Sequence, residues 1–91
     1  MHYRVLVSKN FQKKFYQLKK NEQDSIRKTL KELEKDPYKS RSKCDIKLLK
    51  ETKPKKYRLR ISNYRIIYIV IQKEVKIIDL FKREAGYNRL E

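Results

Sequence analysis

Cysteine and histidine are nearly absent from this 91-residue chain, with one of each. A single cysteine, Cys44, excludes an internal disulfide and any zinc site built from several thiolates. The flanking Lys43 and Lys47 would favour its thiolate, but no histidine is available as a partner, so Cys44 reads as structural. The one histidine, His2, reads as a surface residue at the start of the chain. Histidine-dependent catalysis and histidine-rich metal sites are thereby largely removed. Long hydrophobic runs are also lacking. The longest, Ile-Ile-Tyr-Ile-Val-Ile at residues 66–71, is far short of the ~20 residues of a membrane-spanning helix. The opening Met-His-Tyr-Arg-Val-Leu-Val-Ser-Lys has no apolar core of a secretory signal. These absences fit a cytoplasmic protein with no membrane partner. There are no repeats and no low-complexity tracts.

Acidic residues are scarce as well: 11 against 26 lysines and arginines, a formal charge of +15 and a pI near 10.0. A compact body with that balance attracts polyanions. Nucleic acid is the first candidate, an anionic membrane surface the second and an acidic protein the third. The length suits one domain over residues 1–91.

Periodicity gives the elements. Residues 3–7 alternate as a strand, and Ser8 is suited to cap a following helix. Phe11, Phe15 and Leu18 fall on one helical stripe within residues 9–20, and Ile26, Leu30 and Leu33 on another within 22–35. Asn21 marks the break, and Pro37 stops the second helix. Two amphipathic helices with so short a connection should form an antiparallel hairpin. Residues 45–49 suit a short strand, 50–56 a basic loop, and 57–61, 64–72 and 75–81 three further strands, with reversals at Ser62-Asn63 and Lys73-Glu74. The order β-α-α-β-β-β-β predicts an α+β fold, a helical hairpin on one face of a mainly antiparallel sheet.

Residues 55–65, Lys-Lys-Tyr-Arg-Leu-Arg-Ile-Ser-Asn-Tyr-Arg, are the most informative stretch. A turn at Ser62-Asn63 sets Ile61 opposite Tyr64, Arg60 opposite Arg65, Leu59 opposite Ile66 and Arg58 opposite Ile67. Strand alternation then divides the side chains. Tyr57, Leu59, Ile61, Tyr64, Ile66 and Tyr68 take the core face, while Arg58, Arg60 and Arg65 share the other. Like charges facing each other across a ladder cost up to about 1 kcal/mol. Guanidinium groups gathered in this way suit a phosphodiester, whose oxygens accept their forked N–H donors. Between residues 39 and 65 eleven cations stand against two carboxylates, the composition of a phosphate-tracking surface. Lys47, Lys55, Lys56 and Lys82 are candidate RNA-binding cations. Lys82 and Arg83 should finish near Arg65, with Tyr87 just beyond as a ring on which a nucleobase can stack.

The segment Tyr57-Arg-Leu-Arg-Ile-Ser-Asn-Tyr-Arg-Ile-Ile-Tyr68 resembles the signature of the RelE family of bacterial and archaeal toxins, an archaeal member among the candidates. The tail Lys82-Arg-Glu-Ala-Gly-Tyr87 is similar to that family's C-terminal pattern. The resemblance spans nearly the whole chain. It implies a toxin of a type II toxin–antitoxin system, an endoribonuclease that enters the ribosomal A site and cleaves mRNA. The implied chemistry needs no metal and no cofactor: the ribose 2′-oxygen attacks the adjacent phosphorus, leaving a 2′,3′-cyclic phosphate and a 5′-hydroxyl. By position, Arg58, Arg60 and Arg65 match basic residues of the motif. Arg83 matches the arginine that assists the leaving group, and Tyr87 the tyrosine that stacks on a codon base.

One departure stands out. Described members carry lysines at the positions of Arg58 and Arg60, one of them proposed as general base. An arginine with a pKa above ~12 is a poor base at neutral pH. Catalysis would then rest on orientation and charge stabilisation, with slow cleavage off the ribosome. Lys56 would share the arginine face only if its strand extends that far. The resemblance also implies a RelB-like antitoxin, an acidic or amphipathic segment that folds on contact. Two other readings remain: a ParE-like toxin acting on DNA gyrase, and a non-catalytic basic module that binds RNA or the ribosome.

Overall fold

A computed structural model of the chain describes residues 2–49 and 54–83. The elements run β1 (Arg4–Val7), α1 (Lys9–Phe15), α2 (Lys20–Lys35), β2 (Asp45–Leu48), β3 (Lys56–Ile61), β4 (Tyr64–Ile71) and β5 (Glu74–Lys82). The α+β order is the one expected. The strands form one five-stranded sheet in the order β1-β5-β4-β3-β2, antiparallel throughout except where β1 runs parallel to β5.

Ser8 caps α1, its Oγ accepting from the Phe11 N–H at 3.0 Å. The first helix is shorter than the stripe suggests. It ends at Phe15, and the partly buried Leu18 reaches the core from the connection rather than from a helical turn. The second begins at Lys20, not after Asn21, because Glu22 reaches back: its Oε1 accepts the Lys19 N–H at 3.1 Å. This satisfies a backbone donor at the helix start. At the other end Arg41 takes the same role with reversed sign. Its guanidinium donates to the carbonyls of Glu32, at 2.8 Å, and of Asp36, at 3.0 Å.

The helices cover one sheet face. Phe11 and Phe15 stack at 5.5 Å between centroids and join Ile26 and Leu33 of α2 against Leu59, Ile61, Tyr64, Ile66, Tyr68, Val75, Ile77 and Leu80 of the sheet. Cys44 is buried in this cluster, and burial pushes its thiol up. Desolvation therefore outweighs the neighbouring cations, which leaves an inert, packed thiol.

β3 and β4 pair in the expected register, Ile61↔Tyr64 through Arg58↔Ile67. The reversal into β5 falls one residue earlier than the sequence suggests, at Gln72-Lys73, with Ile71 opposite Glu74. The first residue of each tight turn, Ser62 (φ 53°) and Gln72 (φ 57°), takes a left-handed backbone, the conformation a two-residue hairpin needs to match strand twist. A bulge between Ile67 and Tyr68 resets the alternation of β5, so that Ile77 and Leu80, three apart, both reach the core.

Candidate functional site

The sheet face away from the helices carries the cations. β3 begins at Lys56, so alternation aligns Lys56, Arg58 and Arg60 on that face. β2 adds to it from one side, with Lys47 opposite Arg58 and Asp45 opposite Arg60. β4 adds Arg65, opposite Arg60, and β5 adds Phe81, opposite Arg65.

The three arginines differ in depth. Arg60 is exposed, its side chain retaining 52% of its accessible surface. The Arg58 side chain keeps 11% and donates from Nη2 to Asp45 Oδ1 at 3.3 Å. Asp45 Oδ2 lies 3.9 Å from Arg60 Nη1, so one carboxylate bridges two guanidinium groups. Arg65 is buried, at 3% exposure. Its Nη1 donates to the Tyr64 carbonyl at 3.1 Å and the Ser62 carbonyl at 3.4 Å, bracing the turn that joins β3 to β4. Ile67 beside it is also buried, so this face is open at Lys47 and Arg60, largely covered at Arg58 and closed at Arg65 and Ile67 of β4. Alternation fixes the face a side chain takes and leaves its depth undetermined.

The remaining candidates scatter. Lys55 is exposed just ahead of β3. Lys82 lies opposite Tyr64 and therefore on the helix side, bordering a groove with Lys14, Gln17 and Leu18 rather than joining the arginines. Arg83 is exposed, and its backbone N–H donates to the Asn63 carbonyl at 2.8 Å, which ties the end of β5 to the β3–β4 turn. Tyr87 lies outside the described residues.

Two features of the site were not anticipated from the sequence. Asp45 is one; pairing it with Arg58 and Arg60 requires the β2–β3 register, which the intervening loop conceals. The other is Asp79, whose Oδ1 accepts from Lys14 Nζ at 2.7 Å and Asn10 Nδ2 at 2.9 Å. Burial pushes the Asp79 carboxyl up, yet the bonds from Lys14 and the Leu80 N–H outweigh it and hold the group below the usual carboxylate range. Asp79 thus fastens α1 to β5 and belongs to the scaffold. Among the described residues no group of three or more metal-ligating side chains converges, and no helix is long and apolar enough to cross a membrane.

The family described as ParE toxin of type II toxin–antitoxin system, parDE, matches residues 5–87. This chain belongs to the RelE/ParE superfamily of type II toxin–antitoxin toxins. The toxin is similar to the archaeal RelE–RelB complex from Pyrococcus horikoshii OT3, with 32% identity and a TM-score of 0.80 over 94% of this chain and 100% of that one. It shares its fold with the RelB–RelE antitoxin–toxin complex from Methanococcus jannaschii, at 24% identity and a TM-score of 0.74 over 96% and 100%. A mutant of the E. coli toxin RelE in the free state has the same fold, at 22% identity and a TM-score of 0.66 over 99% and 95%. A comparison with curated protein sequences finds no match.

Proposed function

We propose that this toxin is an mRNA interferase, an endoribonuclease that cleaves mRNA in the ribosomal A site. The observation that carries this reading is the shared face of Lys47, Lys56, Arg58 and Arg60 on adjacent strands, with Arg65 buried beside Arg60 on β4. Arg58 and Arg60 present forked donors to the non-bridging oxygens of one phosphodiester. As the 2′-oxygen attacks, its bond to phosphorus forms and the bond from phosphorus to the 5′-oxygen breaks. The 2′-hydroxyl gives up a proton and the departing 5′-oxygen gains one, leaving a 2′,3′-cyclic phosphate and a 5′-hydroxyl. The charge that builds on the equatorial oxygens is offset by Arg58 and Arg60 at close range. Arg65 contributes through a less screened environment and by bracing the turn. Arg83 assists the leaving oxygen, and Tyr87 stacks on a codon base. No metal or cofactor enters this scheme.

The ribosome supplies what a shallow face lacks, holding the mRNA so that the attacking and leaving oxygens align. Cleavage of free RNA is correspondingly slow. The partner that restrains the toxin is a RelB-like antitoxin, as in the complexes from Pyrococcus horikoshii and Methanococcus jannaschii. The whole chain acts as one domain, in the cytoplasm where translating ribosomes are found.

A second reading is a ParE-like toxin that inhibits DNA gyrase, favoured by the family that matches residues 5–87. Mapping cut positions on translating mRNA separates the two. Wild-type toxin should cut within codons at the A site, and Arg60→Ala and Arg83→Ala should each cut at least about tenfold more slowly, as loss of a charge-stabilising group does. DNA breaks with intact mRNA would establish the gyrase reading instead. Ribosome binding by a wild-type protein that never cuts would leave a non-catalytic RNA-binding module.

A further inference from the structure

The carboxylate of Asp45 sits where a nucleic-acid ligand of the arginine face would have to go. Its two oxygens contact two guanidinium groups that project from the same side of β3, Oδ1 with Arg58 Nη2 at 3.3 Å and Oδ2 with Arg60 Nη1 at 3.9 Å. A phosphodiester offers the same features: two oxygens on one centre sharing one negative charge, the pattern that a pair of forked donors recognises. Asp45 is opposite Arg60 in the β2–β3 ladder, on an edge strand, and half its side-chain surface is accessible. The pair with Arg60 is exposed on both sides, and such pairs are weak. The pair with Arg58 is open to solvent only from the carboxylate side, which is the side toward which the Asp45 side chain rotates away. The two arginines, by contrast, are held on β3, which is paired along both edges.

We infer that Asp45 is an internal phosphate mimic, an acidic side chain that occupies the Arg58–Arg60 subsite in the free protein and is displaced by an RNA phosphate. This rests on the reading of the arginine face as an RNA-gripping surface and adds a control to it. With Asp45 in place, a ligand gains the subsite only by engaging both guanidinium groups together, because a single contact leaves the carboxylate bound to the other. Stray polyanion contacts are penalised, and a phosphodiester held in register is not. Without RNA, the same carboxylate offsets the mutual repulsion of Arg58, Arg60 and Lys47, three cations packed on neighbouring rungs.

The test compares binding of a short single-stranded RNA to the intact protein, measured by fluorescence anisotropy across a range of salt concentrations. Asp45→Asn removes the charge and keeps the size; it should bind about three- to tenfold more tightly at low salt, with a log–log salt slope changed by less than one phosphate contact's worth, about 0.7, because the same cations touch phosphate once the carboxylate is displaced. Asp45→Ser should act in the same sense, and thermal melting verifies that both variants are folded. Asp24→Asn makes the same charge change on α2, where Asp24 pairs with Arg27 at 3.6 Å, and should alter affinity by less than about twofold. Equal gains for the Asp24 and Asp45 variants would reduce the effect to overall charge and overturn the inference. Weaker binding by Asp45→Asn would also overturn it, making Asp45 a support for the arginines. If Arg60→Ala binds RNA as well as wild type does, the arginine-face reading itself fails, an outcome distinct from either of these.

Discussion

Tyr68 shows how one side chain joins fold and site. It is fully buried, its ring stacks on Tyr57 at 5.5 Å, and its hydroxyl donates to the Pro37 carbonyl at 2.7 Å. Burial pushes the phenol far above its ordinary value, so it remains a donor throughout the working range. Pro37 is itself buried and directly follows Asp36, the C-cap of α2. Tyr68→Phe retains the ring and leaves that carbonyl without its donor, a loss that costs about 1–3 kcal/mol. Urea unfolding should show a lower midpoint with an unchanged slope; a loss under about 0.5 kcal/mol would mean that water replaces the hydroxyl. The alternation of residues 57–68 marked Tyr68 as core in the sequence. The Pro37 bond was not legible there, because it joins positions 31 residues apart. Arg65 gives the converse lesson. Its face followed from the register, whereas its burial depends on neighbours that no local pattern specifies.

The elements divide in the same way. The β3–β4 hairpin was legible because an even-length turn between alternating strands permits one pairing of faces. β5 begins one residue earlier than its alternation suggests, and the spacing of Ile77 and Leu80 is the sign in the sequence that this alternation breaks. The limits of α1 and α2 were blurred because a lysine stands at the cap of α2, where serine, threonine or aspartate would have announced the start. Two carboxylates, Glu22 and Asp79, bind elements to one another, and a third, Asp36, fixes the loop that follows α2. Glu22 is held below the usual range by the Lys19 N–H and then by the Tyr64 hydroxyl, Asp36 by the N–H groups of Tyr38 and Lys39, and Asp79 by Lys14 and Leu80 against its burial. Each folded-state pKa lies below its unfolded value, so the unfolded chain binds these protons more readily. The stability they contribute is fully present above the ordinary carboxylate range, near pH 4, and is lost as the pH falls through the lowered values. Thermal melts between pH 7 and pH 2 should decline below about pH 4.5. Asp79→Asn should flatten that decline and cost under about 1 kcal/mol at neutral pH, as partly exposed pairs do. An unchanged acid limb in Asp79→Asn would exclude the α1–β5 tie as a contributor.

At the scale of the molecule, a charge of +15 on 91 residues acts on stability and on binding with opposite signs. Self-repulsion strains the folded body at low ionic strength, and added salt screens it once the Debye length falls to ~10 Å, near 0.1 M. The melting temperature should therefore rise between about 20 mM and about 200 mM sodium chloride, concentrations on either side of that point. RNA affinity should fall over the same interval, since each phosphate that a cation neutralises releases condensed counterions. Single strands lose about 0.7 in log–log slope per contact. Four side chains on this face, Lys47, Lys56, Arg60 and, once Asp45 is displaced, Arg58, then give a slope near −3. Arg60→Ala should bring it to about −2 and weaken binding of all sequences alike, because a phosphate contact carries no base information. A slope that stays near −3 in Arg60→Ala would move the binding surface elsewhere, to the lysines of α2 or to Lys14 and Lys82 on the helix side. The sign of the two salt effects separates a general property of the charge from a local one: melting responds to every cation on the surface, whereas the slope counts only those that touch phosphate.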